Sequence, residues 1–156
     1  MASNPPSEVA DDAHVPQLEL EWVHEAQALV AVHVHGTVTD AVWETYVDAV
    51  RSNLKPGLRC FVWNEGGRPT IAQQRRLVEV TRGIPVPVAV VSSMIAVRFI
   101  VSAFSLANRN IRFFSAPEVG AALDYLCSDP VWRAMVRDAV MRAAARAGIA
   151  PGLGIA

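Results

Sequence analysis

LRCFVWNEGGRPTIAQQRRLVEVTRGIPVPVAVVSS, residues 58–93, changes its hydrophobic period twice. Leu58 to Trp63 is a short apolar run of the kind that suits a pleated strand. Asn64 to Pro69 is a loop by composition. Thr70 followed by Gln73 has the spacing of a capping box, in which the two side chains satisfy each other's orphan backbone N–H groups. Gly83 closes the helix so opened. Val86 to Val91 is a second apolar run. Strand, helix, strand in this order is a crossover unit, which joins parallel neighbours in a sheet.

Outward from this unit the alternation continues. Apolar runs also occupy Ala28 to His35 and Ile111 to Phe114. Thr39 with Asp40 opens a helix whose stripe is Val42, Trp43, Tyr46, Val47, Val50 and Leu54, stopped by Pro56-Gly57. Ser92 or Ser93 caps a third helix. Ser115 with Glu118 is another capping box and opens a fourth helix, Pro117 to Leu126. Asp129-Pro130 starts a last helix, Val131 to Ala147, ended by Gly148. Before the first crossover, Leu18 to His24 alternates Leu18, Leu20, Trp22 and His24 against Glu19, Glu21, Val23 and Glu25, a strand with one wet face. The short connection at Glu25 to Gln27 makes it an antiparallel hairpin with the next strand.

The expected fold is α/β: a five-stranded, mostly parallel sheet in the order β-β-α-β-α-β-α-β-α, with an extra C-terminal helix. Right-handed crossovers between sequential strands put the crossover helices on one face. Counting four such helices and turning Val30, Val32 and Val34 toward them leaves His33 and His35 on the far face, with either Phe61 and Trp63 or Cys60 and Val62. The later strands are apolar on both parities, so that far face needs a cover. The stripe Trp132, Met135, Val136, Ala139, Val140 and Ala143 of the last helix fits that role; failing it, a partner must.

Composition bounds the rest. A chain of 156 residues with 52% hydrophobic content fits one domain with a sizeable core. Expected boundaries are a flexible acidic tail at 1–16, the α/β domain at 17–127, the C-terminal helix at 128–148 and a flexible tail at 149–156. A net charge of −1 gives no global sign of nucleic-acid binding. The first residues lack the basic and apolar regions of a signal peptide. The apolar stretch Ile84 to Ala107 is broken by Pro85, Pro87, Ser92, Ser93 and Arg98, which argues against stable membrane insertion. Cys60 and Cys127 read as small buried hydrophobes in a reducing compartment. The expected location is cytoplasmic.

Four places invite a chemical reading. His33 and His35 share a strand face, and a simple hairpin register sets Glu19 opposite His33. A metal site would need all three to converge, and an exposed Glu–His pair on a wet edge is the plainer expectation. NEGGRPT precedes a helix N-terminus and includes Arg68, which would suit an anion, yet it meets no nucleotide fingerprint. Ser92, Ser93 and Thr70 lie at strand ends where α/β sites gather, but every histidine lies in or before the first hairpin, so a Ser-His-Asp hydrolase is disfavoured. No catalytic residue, metal or cofactor is assigned. The third helix is apolar apart from a narrow stripe of Arg98, Ser102, Ser105 and Arg109. That is far more apolar surface than one sheet contact needs, which predicts another protein or a second copy against Arg98, Phe99, Ser102 and Ser105.

The segments LELEWVHE, VHGTVTD, NEGGRPT, PVAVVSS and IRFFSAPE, in their order and spacing over about residues 17–127, resemble the STAS (anti-sigma-factor antagonist) domain, in the divergent group shared with CRAL-TRIO lipid-binding proteins. The resemblance implies a non-enzymatic switch in bacterial signalling or cell organisation that binds a partner through the second helix and adjacent loops, here Arg68 and Thr70. It also implies a switch hydroxyl at the start of that helix. The family's Asp-Ser-Ser-Gly is replaced by Pro69-Thr70-Ile71, so the hydroxyl would be that of Thr70. The CRAL-TRIO side of the resemblance implies the alternative, a small hydrophobic ligand or a lipid.

Overall fold

The computed structural model describes residues 17–149. The expected tail at 1–16, with His14, and the last seven residues of the chain lie outside the described residues. β1 (Leu18–Val23) and β2 (Ala28–His33) form the antiparallel hairpin. β2 then runs parallel to β3 (Arg59–Asn64), β3 to β4 (Val88–Ser92), and β4 to β5 (Ile111–Ser115), in the sequential order β1-β2-β3-β4-β5. The crossovers are α1 (Asp40–Ser52), α2 (Ile71–Thr81) and α3 (Ile95–Ser105). After β5 come a 3₁₀ turn (Ala116–Glu118), α4 (Val119–Leu126) and α5 (Pro130–Arg146).

The helix ends follow their sequence signals. Thr39 accepts from the Val42 N–H, Asp129 from the Val131 and Trp132 N–H groups, and both capping boxes form. The Ser115–Glu118 box opens the 3₁₀ turn rather than α4 itself. α3 is the exception: its N-cap is Met94, which makes no side-chain cap, and Ser92 Oγ instead accepts from the Met94 N–H, so neither Ser92 nor Ser93 is the cap. α5 ends in a Schellman motif: Gly148 has φ +70°, its N–H bonds Ala145 O, and the Ile149 N–H bonds Ala144 O. Ile149 therefore belongs to the folded domain and packs on the core, not to a tail.

Both faces of the sheet are covered by this chain. Leu29, Ala31, Cys60, Val62 and Val90 pack under α1 and α3. Val30, Val32, Phe61, Trp63, Ala89 and Val91 pack under α4 and α5, with Val136, Ala139, Val140 and Ala143 buried. The last helix thus covers the far face, as its stripe suggested. α4 is a correction to the sequence count. It follows the last strand, makes no crossover, and joins α5 on the far side.

A second correction follows. Val30 and Val32 face α4 and α5, whereas His33 lies with Ala31 on the crossover side against Trp43 and Tyr46. The large rings of α1 need small partners on the sheet, and Ala31 and Cys60 supply them. The parallel register then puts Cys60 and Val62, not Phe61 and Trp63, on the face of His33. The wet face of β1 is also covered, because Arg142 and Arg146 of α5 reach Glu21 and Glu19.

Candidate functional site

The expected Glu19–His33 pair does not form. The hairpin register sets Leu18 opposite His33 and Glu19 opposite Val32, one residue away from a symmetric pairing. Such a slip turns a side chain to the other face of the sheet. His33 is only 3% exposed rather than on a wet edge. Among the described residues no three His, Cys, Asp or Glu side chains converge as metal ligands.

The NEGG loop is tied down by its own backbone. The Glu65 N–H bonds His33 O at 2.9 Å, the Gly66 N–H bonds Asn64 Oδ1 at 2.7 Å, and the Arg68 N–H bonds Gly36 O at 3.1 Å. Those three N–H groups are spent inside the fold and are not offered to an anion. The glycines serve close approach instead. A Cβ on Gly67 would sit 2.9 Å from His33 Cβ, and one on Gly66, which has φ +107°, 2.7 Å from His35 Nδ1.

Thr70 is engaged in its cap: its Oγ1 accepts from the Gln73 N–H at 3.2 Å, and its N–H bonds Gln73 Oε1 at 2.9 Å. Gln73 does more than close the box. Its Nε2 donates to Val38 O and Asp40 Oδ1, and its own carbonyl accepts the indole N–H of Trp43 at 2.8 Å. This bracket locks the start of α2 to the start of α1, and Gln73 is the one buried side chain of α2.

With so little of α2 buried, the layer beneath it is loosely filled. A cavity of about 90 Å³ lies between the sheet and the three crossover helices. Its sheet side includes His33, Asn64, Val62 and Val90; its helical side includes Trp43, Tyr46, Leu77, Val97 and Phe104. Burial lowers His33 to about 4, so the ring is neutral. Its Nδ1 is the one buried side-chain nitrogen or oxygen without a hydrogen-bond partner among the described residues. Burial likewise pushes the Cys60 thiol up to about 12, the range of an inert core cysteine.

Of the predicted partner residues on α3, Arg98, Ser102 and Ser105 share one groove and Phe99 stands beside it on the exposed crest. Each helical residue advances 100°, which sets Phe99 opposite the buried Val97 and Val101. Phe99 is 71% exposed, with Ile95 and Leu106 beside it. Arg98, Ser102 and Ser105 lie on one flank, in a groove with Phe113 and Glu118. The other flank forms a groove of about 360 Å³ with α2, lined by Ile71, Val78, Arg75, Ala103 and Phe104. Thr70 is the N-cap of α2, and the exposed Arg68 precedes it in the loop; neither lines either groove. The serine hydroxyls donate back into α3, Ser102 to Arg98 O and Ser105 to Ser102 O.

Sequence reasoning missed the cavity and its floor at His33. The available signal was the His33 position two residues after Ala31, on the parity of Leu29 and Ala31 rather than that of Val30 and Val32. No family model matches the chain, and no curated protein or solved structure gives a significant match.

Proposed function

We propose that this chain is a non-enzymatic protein-interaction module whose docking face is the outer side of α3 and the adjoining α2. The observation that carries it is the orientation of α3. Ile95, Phe99 and Leu106 face solvent at 75, 71 and 90% exposure, while only Val97 and Val101 are buried. A surface of this kind marks an interaction site in a water-soluble domain.

Charge defines the partner. From Arg68 to Arg109 the chain holds six arginines and one acid, Glu79. All six arginines are exposed. A two-fold self-interface would lay this basic patch against itself, which like-charge repulsion opposes. An acidic protein surface with apolar anchors fits better. The resemblance to STAS domains supports a regulatory role in bacterial signalling, and two buried free cysteines suit the cytoplasm.

The test is a stoichiometric complex, measured by light scattering, that weakens with salt and is lost in Phe99→Arg while the thermal midpoint of the free protein holds. A wild-type chain that captures no acidic partner, or a complex indifferent to Phe99→Arg, overturns the proposal.

A further inference from the structure

The groove between α2 and α3 selects the kind of segment that the docking face receives, an inference that rests on the proposal that this face binds a protein. α2 leans on α1 and comes close to α3 at few positions, which leaves an open channel of about 360 Å³ between α2 and α3. The two helices run side by side, because each is a crossover between parallel neighbours of the sheet. Ile71 and Val78 line the channel from α2, and Ala103, Phe104 and Ala107 from α3. Ile71 is 69% exposed, and Phe99 and Leu106 stand on the α3 crest beside the channel.

Both walls are helices. Their interior N–H and C=O groups are bonded along their own axes, so neither wall offers a backbone ladder. A strand laid here would cover its own polar backbone and find no partner for it. A helix brings its backbone already satisfied and needs only an apolar face. The lining on α2 runs from Ile71 to Arg82, about 16 Å along the axis, which matches roughly three helical turns.

Charge sets the rest of the pattern. Arg76 is turned to Glu44 of α1, at 3.2 Å. Arg75 and Arg82 border the channel, are exposed, and form no ion pair among the described residues. They stand two turns apart on one side of α2, with about 10 Å between them. Glu79 lies between them. None of the α3 residues that line the channel is charged. The positive charge is therefore on one wall only, at two spaced points. We propose that the docking face receives an amphipathic α-helix of a partner protein, with apolar residues in the channel and, along one flank only, acids spaced i, i+7 that meet Arg75 and Arg82. An acid midway between them would face Glu79 and is disfavoured.

The probe is a peptide of about 16 residues built on Ala and Gln, with Leu at i, i+4, i+7 and i+11 and Glu at i+1 and i+8. One control carries Lys in place of both Glu. The other keeps both Glu and has Pro at its midpoint, which breaks the helix. Fluorescence anisotropy with the full chain gives the affinities, and circular dichroism reads the helix gained on binding. The Glu helix is expected to bind the wild type at least about tenfold tighter than either control. Arg75→Glu combined with Arg82→Glu should reverse the order of the Glu and Lys peptides. Ala103→Trp, which fills the channel, should abolish binding of the Glu helix. All three positions are exposed, and unchanged thermal midpoints show that the variants fold. No binding of the Glu helix to the wild type, a Pro peptide bound as tightly, or an unchanged preference for Glu over Lys in the arginine variant each overturns the proposal. The helix and the face fail differently. A Pro peptide that binds as tightly as the Glu helix and is lost in Phe99→Arg overturns the helix and leaves the docking face. Peptides that bind the wild type and Phe99→Arg alike overturn the face as well.

Discussion

Two residues carry tests of their own. Thr70 caps α2, and Thr70→Ala should lower the unfolding free energy by about 1 kcal/mol in urea titration. If Thr70 is also a switch, a negative charge there is tolerated by the helix N-terminus, and Thr70→Glu should alter partner affinity more than stability. Equal affinity for wild type and both variants removes the switch and leaves the cap. His33 gives a pH signature. Its value is about 4 in the folded protein against 6.5 for the free side chain. Between those values the unfolded chain holds a proton that the folded chain lacks. Stability therefore rises with pH across that window, is lowest below it and is unaffected above it. The full span is on the order of 3 kcal/mol. His33→Gln should lose this slope, measured as the difference in urea stability between about pH 7 and about pH 4.5 relative to wild type. A variant with the wild-type slope would show that His33 is not held neutral.

Among the elements, α3 and α2 behave differently for one reason, the amount of apolar surface each buries. On α3 the exposed crest is Phe99, so Phe99→Arg should abolish partner capture with no loss in thermal midpoint. Ser102→Arg lies on the flank beside β5 and should weaken capture less. If Ser102→Arg is the stronger of the two, the partner sits in the serine groove instead. α2 buries only Gln73 fully and is anchored by hydrogen bonds at its start. Its amide hydrogens from Leu77 to Thr81 should exchange faster than those of β3, whose side chains from Cys60 to Asn64 are all buried. Gln73→Ala removes the side-chain bonds of the bracket, leaving the Trp43 bond to the main-chain carbonyl, and should extend fast exchange toward the start of α2. The ion pairs of α5 with β1 contribute far less, since Arg142 and Arg146 are about half exposed. Arg146→Ala should cost under about 1 kcal/mol, with a salt-dependent share.

At the scale of the molecule, α5 closes the fold. Ending the chain before Asp129 would bare Val30 and Val32, together with part of the ground beneath Phe61 and Trp63, and that protein should aggregate or take up a hydrophobic dye. The need for this cover was legible in the sequence, because apolar residues on both parities of a strand require two packed faces. So were the element order, the parallel sheet, Thr39, Thr70, Ser115 and Asp129 as caps, and the two buried cysteines. These follow from local signals: hydrophobic period, cap spacing and turn residues act within a few positions along the chain. The hairpin register, the face on which His33 lies, the placing of α4 and the cavity beneath α2 were not legible. Each depends on which side chains meet across elements distant in sequence. The bulk of Trp43 and Tyr46 against Ala31 and Cys60 decides the faces, and the position of α2 decides what is left unfilled around His33. The sequence by itself determined the class of fold and the ends of its helices, whereas only tertiary packing decided that a histidine read as exposed would become the polar floor of an apolar cavity.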